Sequence, residues 1–127
     1  MLDWEHDDGR AGLVGKLIYG GRDGYEVEID DRALAHLKVA VFAKLRRNES
    51  FSFSWESGSD DEGGRHSIWV SPASMIHFYF YGTRPPVLNR TWLKQLISSA
   101  NDGDLRLIEE PVEDPAAATE ASSRGRW

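Results

Sequence analysis

The sequence predicts a single α+β domain in which two helices pack on an antiparallel β-sheet. Several short segments alternate apolar and polar residues, which is typical of strands with one buried face. Two longer segments place apolar residues three or four positions apart, which is typical of helices with one buried stripe. The predicted order is ββαβββα(β), where the last strand covers 105–108. A chain of 127 residues is long enough for one hydrophobic core and too short for two ordinary domains.

The first two strands and the first helix follow from local patterns. The segments 16–19 (KLIY) and 25–30 (YEVEID) alternate and are joined by GGRDG, so they predict a β-hairpin. Asp30 or Asp31 can cap the helix that follows, which is expected to run to about Arg47. The side of this helix expected to be buried holds Leu34, Leu37, Val41 and Leu45. The side expected to face solvent holds Arg32, His36, Ala43 and Arg47.

Three strands and a second helix are predicted in the remainder of the domain. The strand segments are 51–55, 66–70 and 76–81, and each of them alternates apolar and polar residues. Asn89 is expected to cap a helix that reaches residue 101, with Gly103 just after its end. The residues of this helix expected to face inward are Trp92, Leu93, Leu96, Ile97 and Ala100.

Charge and composition divide the chain into a folded body and two acidic ends. Residues 1–12 predict a disordered acidic segment, residues 13–108 the single α+β domain, and residues 109–127 a disordered acidic tail rich in Pro, Ala and Ser. The formal net charge is −6 and comes mainly from these two ends. The body is therefore close to neutral, so net charge neither favours nor excludes a polyanionic partner.

Composition and motifs exclude several classes of active site. The chain has no cysteine, which excludes thiolate nucleophiles and Cys-ligated metal sites and agrees with a reducing compartment. The histidines lack metal-ligand spacing, the serines lack the GxSxG pattern, and no glycine-rich phosphate-binding motif precedes a helix. We therefore expect no catalytic residue, no metal and no cofactor. The acidic start and the short apolar runs predict a soluble cytoplasmic protein without a membrane partner.

The three strands between the helices have two chemically different faces. The face expected to pack on the core holds Phe51, Phe53, Trp55, Ile68, Val70, Ile76, Phe78 and Phe80. The opposite face holds Ser52, Ser54, Ser67, Trp69, His77, Tyr79 and Tyr81. Aromatic side chains with polar tips are suited to binding, because they combine a large apolar area with a hydrogen-bonding group.

This second face is the candidate binding site, and three interpretations compete for it. The candidate binding residues are Trp69, His77, Tyr79, Tyr81, Arg65, Arg84 and Arg90. The aromatic residues among them can stack the bases of a single-stranded nucleic acid while the arginines contact phosphates. Amphipathic aromatic residues are equally typical of a homodimer interface. The third interpretation is that the second helix covers the face, which would make these residues part of the core.

Long stretches of the chain resemble a family of short uncharacterised actinobacterial proteins. The resemblance rests on EIDDRALAHLKVAVFAKLRRNESFSFSW, HSIWVSP, IHFYFYG and LNRTWLKQLISSAN, and it covers roughly residues 13–111. Members often carry the name ATP-dependent DNA ligase, which implies attachment of AMP to the lysine of a KxDG motif. The nearest match is Gly21-Arg22-Asp23-Gly24, in which a glycine stands in the lysine position.

The sequence therefore predicts a non-enzymatic binding or interaction module that self-associates and is linked to nucleic acid. The alternative is an accessory or remnant domain related to ATP-dependent DNA ligase that lacks the adenylation lysine. The two classes need different sites. An enzyme requires a concave pocket with converging titratable groups, whereas a module requires only an exposed apolar or aromatic surface.

Overall fold

The computed structural model describes residues 13–57 and 63–116, which form six strands and two helices. In chain order they are β1 (Val14–Tyr19), β2 (Tyr25–Asp30), α1 (Asp31–Arg46), β3 (Phe51–Ser57), β4 (Gly64–Val70), β5 (Ile76–Tyr79), α2 (Arg90–Asn101) and β6 (Asp104–Arg106). This order confirms the predicted α+β class, including the short last strand. The predicted N-terminal segment 1–12 lies outside the described residues.

The six strands form two three-stranded sheets instead of the single antiparallel sheet that the sequence predicts. Sheet A has the order β2-β1-β5 and is antiparallel throughout. Sheet B has the order β4-β3-β6, in which β3 pairs antiparallel with β4 and parallel with β6. The sheets separate after β4, where the Ser74 amide donates to the Ser71 carbonyl and turns the chain. As a result β5 pairs with β1 and not with β4.

Both helices begin at predicted capping residues. The Asp30 carboxylate accepts a hydrogen bond from the amide of Ala33 (3.1 Å), and Asn89 Oδ1 accepts one from the amide of Trp92 (3.1 Å). Such caps satisfy amides that have no partner within the helix. α2 ends just before Gly103, whose φ of 104° is readily adopted only by glycine, as the sequence predicts.

The strand residues predicted to face the core do so to different degrees. Those that are buried are Phe51, Phe53, Trp55 and Val70. Those that are half-buried and packed against the core are Ile68, Ile76, Phe78 and Phe80. The half-buried residues lie in β4, in β5 or directly after β5. Both strands are at the edge of a sheet, so they have a neighbouring strand on one side only and their side chains are less completely covered.

Two sides of α1 are buried, because this helix packs on sheet A and also on α2. The predicted core side holds Leu34, Leu37 and Val41, which are buried, and Leu45, which is half-buried. A second buried set consists of Ala33, His36, Ala40 and Lys44. Contacts with α2 explain this second set, since His36 lies against Trp92 and Lys44 donates to the side-chain oxygen of Asn101.

His36 is therefore a correction to the sequence prediction, because it is fully buried and does not face solvent. Its ring lies 4.5 Å from that of Trp92, measured between centroids. His36 Nδ1 donates to the carbonyl of Arg32 (2.7 Å), and Nε2 accepts the amide hydrogen of Asn89 (2.7 Å). A ring nitrogen must be unprotonated to accept a hydrogen bond, so these two partners fix the neutral tautomer with its proton on Nδ1.

The segment after β6 is packed against the helices, although the sequence places residues 109–127 in a disordered tail. The two carboxylate oxygens of Glu110 accept hydrogen bonds from the guanidinium of Arg32, at 2.8 and 2.9 Å. One of them also accepts a hydrogen bond from Asn89 Nδ2 (2.9 Å). The packed body therefore extends past the predicted boundary, while residues 117–127 lie outside the described part of the chain.

We predict that the free energy of unfolding falls in two steps as the pH is lowered. Burial lowers the pKa of His36 below its ordinary 6.5. Below that pH the unfolded chain therefore binds a proton that the folded chain does not, which favours unfolding. The hydrogen bonds from Arg32 lower the pKa of Glu110 from 4.5 to about 2, so a second fall is expected between these two values. Urea unfolding from about pH 8 down to about pH 3 measures both steps.

Two variants separate the steps, because each removes one titrating group. His36→Gln is expected to lose the fall that starts near pH 6.5 and to keep the one at lower pH, whereas Glu110→Gln should keep the first fall and reduce the second, to which Asp104 and Glu49 also contribute. The slope of stability against pH is the quantity compared, so a general loss of stability in a variant does not affect the result. An unchanged slope in His36→Gln would contradict the role of His36.

Candidate functional site

Two of the predicted binding residues lie on the outer face of sheet A, on β5. In the antiparallel ladder with β1, His77 lies opposite Ile18 and Tyr79 opposite Lys16. Tyr79 is 48% exposed, and Tyr81, which follows the strand, is 64% exposed. The helices therefore do not cover these tyrosines, and they are not part of the core. Alternation along the strand correctly predicts which side chains point away from the core.

Trp69 is also exposed, but it lies on the other sheet. It is 60% exposed and stands opposite Ser52 in the β3–β4 pair of sheet B. The hydroxyl of Tyr19 donates to the carbonyl oxygen of Trp69, which is one contact between the two sheets. Because β4 and β5 are not paired, the predicted aromatic face is divided between two sheets.

The three arginines of the predicted site lie on different parts of the fold. Arg65 is in β4 of sheet B, opposite Glu56. Arg84 is exposed in the segment between β5 and α2. Arg90 is the first residue of α2, where its amide donates to the carboxylate of Glu113 (3.0 Å). These positions do not support a joint phosphate-binding cluster at the β5 face.

β5 is an edge strand, with β1 on one side and no strand of the described residues on the other. Along an antiparallel strand, the backbone N–H and C=O groups of successive residues point alternately toward and away from the neighbouring strand. The Gly20 amide donates to the Met75 carbonyl (2.9 Å), so the backbone groups of Met75 point toward the β1 side. Those of His77 and Tyr79 therefore also point toward β1, and the backbone polar groups of Ile76 and Phe78 point to the open side. An open row of amides and carbonyls is a template for a further strand.

Charged residues occupy the other three sheet edges but not β5. The sequences at those edges are YEVEID in β2, GRHSIWV in β4 and DLR in β6, each with at least one charged side chain. The sequence of β5 is IHFY. Charges on an edge strand oppose pairing with another chain, so β5 is the described edge best suited to such pairing.

Ser57 and His66 form a contact that the sequence analysis misses. Ser57 Oγ lies 2.8 Å from His66 Nε2, and the hydroxyl of Tyr25 lies 3.4 Å from His66 Nδ1. The two residues are diagonal neighbours in the β3–β4 ladder, so only the strand register brings them together. A serine bonded to a histidine is one requirement of nucleophilic catalysis. Ser57 is exposed at the end of its strand, however, where water competes for both groups.

We predict that Ser57 is not an activated nucleophile. The His66 ring stacks on Trp55, with 5.0 Å between centroids and 11° between planes, which explains its position without a catalytic role. Incubation with a fluorophosphonate, which labels activated serines, should leave the intact mass unchanged. An adduct that forms on the wild type and is absent from Ser57→Ala would instead indicate a serine hydrolase.

Gly21, which stands where a ligase motif has its lysine, lies in the turn between β1 and β2. Its φ is 83°, a conformation that side chains other than that of glycine rarely adopt. A Cβ added at this position would lie 2.7 Å from the sulfur of Met75. The segment GRDG is therefore a hairpin turn whose backbone requires glycine here.

The other described carboxylates with clearly shifted pKa values also take part in structural hydrogen bonds. Hydrogen bonds from Ser52 and Ser54 lower the pKa of Asp104, and a hydrogen bond from Lys44 lowers the pKa of Glu49. Within residues 13–57 and 63–116, no cluster of three or more His, Asp or Glu side chains could hold a metal ion. No helix in the same ranges is long and apolar enough to cross a membrane.

Comparison with known proteins identifies a family but no characterised relative. No curated protein and no solved structure matches the chain. A family model described as a domain of unknown function, DUF7882, matches residues 14–110. The match begins at the first residue of β1 and ends at Glu110, which pairs with Arg32, so it includes both sheets and both helices. Because the match covers most of the chain, the chain belongs to the DUF7882 family.

Proposed function

We propose that this chain is a non-enzymatic interaction module that binds a second copy of itself through β5. The observation that supports the proposal is a sheet edge that no strand of the described residues covers and that carries no charged residue, next to two exposed tyrosines. Exposed edges of this kind are normally blocked by charges, because they otherwise pair with another chain. The cytoplasm is the compartment we propose, since a chain without cysteine is suited to reducing conditions.

Antiparallel pairing of β5 with β5 of a second copy would join two copies of sheet A into one six-stranded sheet. The open backbone groups of Ile76 in one copy would pair with those of Phe78 in the other, which would place the two His77 side chains opposite each other on the outer face and each Tyr79 diagonal to His77 of the other copy. Burying a tyrosine removes on the order of 150–250 Å² of surface from water. A four-residue strand forms few backbone hydrogen bonds, and each is worth only about 0.5–1.5 kcal/mol net, so burial of these side chains would supply most of the affinity.

Single-stranded nucleic acid is the second candidate partner, favoured by the exposed ring of Trp69 on sheet B. The outer face of sheet A is less suited to it, because Glu26 and Glu28 of β2 lie opposite Ile18 and Lys16 there. Like charges repel phosphates at close range. The alternative class, an accessory or remnant domain related to ATP-dependent DNA ligase, depends on the family resemblance and not on a site in this chain.

We predict that Tyr79→Lys converts a self-associating chain into a monomer. The substitution would place an ammonium on the pairing edge, next to His77 of the other copy, and a charge on an edge strand opposes pairing with another chain. Sedimentation velocity over about 10–500 µM measures the result, and the dissociation constant is expected to rise at least about tenfold, or 1.4 kcal/mol. The wild type is expected to sediment as two copies at the upper end of this range.

The matched control is Trp69→Lys, because Trp69 is comparably exposed but lies on sheet B. It should associate as the wild type does. A monomeric wild type, or an equal loss of association in the two variants, would contradict pairing through β5. A labelled single-stranded oligonucleotide tests the second candidate: binding that weakens in Trp69→Ala and at higher salt would favour nucleic acid as the partner.

We also predict that the chain forms no covalent adduct with AMP. Adenylation requires an amine nucleophile at the lysine position of KxDG, and Gly21 has no side chain. After incubation with ATP and magnesium, the intact mass should be unchanged. An added adenylate would contradict the non-enzymatic proposal and would support the alternative related to DNA ligase.

A further inference from the structure

A groove runs between the first half of α1 and the segment 80–88, which leads from β5 to α2. Its volume is about 910 Å³, within the range typical of ligand sites. The apolar part of its wall is formed by Leu13, Ala35, Val39, Phe80, Pro85, Pro86 and Leu88. Most of its lining comes from one helix and one extended segment, with Leu13, Asp30 and Glu110 in addition, so a bound chain can lie along it.

The acidic groups that line the groove are already engaged. Asp30 caps α1 through its carboxylate. The Asp31 carboxylate accepts hydrogen bonds from the backbone amides of Tyr81 (3.0 Å) and Gly82 (2.8 Å), in the segment that forms the opposite wall. Glu110 is held by both hydrogen bonds from Arg32, which also donates to a carbonyl of the segment (2.9 Å). These four side chains therefore fix the walls of the groove.

Lys38 and Arg84 line the same groove and have no carboxylate partner among the described residues. Lys38 Nζ lies 5.8 Å from the ring centroid of Phe80 and 5.9 Å from that of Phe42. Contact with the aromatic faces keeps this ammonium close to the apolar wall. The groove thus combines an apolar surface with two positive charges that a ligand can neutralise.

We infer that the groove binds an extended peptide segment of a partner protein that carries apolar side chains and one or two carboxylates. Three acidic and three basic side chains line the groove, so its net charge is zero, and two of its positive charges have no carboxylate partner within residues 13–57 and 63–116. A polyanion would bring more negative charge than Lys38 and Arg84 can neutralise and would be repelled by the three carboxylates. A peptide with apolar side chains and one or two acidic residues can pack on the apolar wall and neutralise the charges of Lys38 and Arg84. None of the groove residues belongs to β5, so this site is separate from the proposed self-association.

Selection from a random heptapeptide display library tests the inference, with the full chain as the target. The wild type is expected to enrich peptides with Asp or Glu next to Leu, Ile, Phe or Pro. The charge-reversed variant Lys38→Glu/Arg84→Glu should enrich Lys or Arg in place of the acids, because complementary charge determines specificity. A peptide enriched by the wild type should then bind this variant at least about tenfold more weakly by calorimetry.

The matched control is Arg22→Glu/Lys94→Glu, which makes the same change in net charge at two exposed residues outside the groove. It should select the same peptides as the wild type. Thermal unfolding checks that each variant is folded, which we expect because Lys38 and Arg84 are both exposed. Three outcomes would each overturn the inference. The folded wild type could enrich no peptide, it could enrich the same peptides as Lys38→Glu/Arg84→Glu, or it could enrich acidic peptides that lack apolar residues.

Discussion

The interaction on which most of this structure depends is the hydrogen bonding of Asn89, which is only 4% exposed. Its side-chain oxygen caps α2, and its side-chain amide donates to Glu110 and to the carbonyl of Pro111. Its backbone amide donates to Nε2 of His36. A buried polar group costs free energy unless it is hydrogen-bonded, so these partners stabilise one another only when all are in place. One residue thus joins α1, α2 and the segment after β6.

The same junction explains the arrangement of the two helices. His36, near the start of α1, meets Asn89 at the start of α2, whereas Lys44, near the end of α1, donates to Asn101 at the end of α2 (2.8 Å). The helices therefore run in the same direction, with α1 against sheet A and α2 against sheet B. Arg32 extends the junction, since it donates to a carbonyl of the segment before α2 and so fixes that segment against α1.

Features determined by neighbours in the chain could be predicted from the sequence, and features determined by distant residues could not. The caps at Asp30 and Asn89 depend on hydrogen bonds within three residues, and the alternation of strands is equally local. Burial of His36 depends on where α2 packs, which no local pattern encodes. For the candidate site, alternation identified exposed side chains correctly. Whether Trp69 and Tyr79 share a surface depends on strand pairing, and the pairing of β5 with β1 separates them.

Both proposed surfaces lie on the segment 76–88, and the structure holds its backbone at several points. β5 pairs with β1, the Asp31 carboxylate accepts two amides, and Arg32 donates to the carbonyl of Val87. The side chains of Tyr79 and Arg84 extend outward from this fixed backbone. Binding to side chains on a fixed backbone requires little further ordering, which lowers the entropic cost of association. Recognition at this segment is therefore expected to proceed on a preformed surface, without folding of the segment on binding.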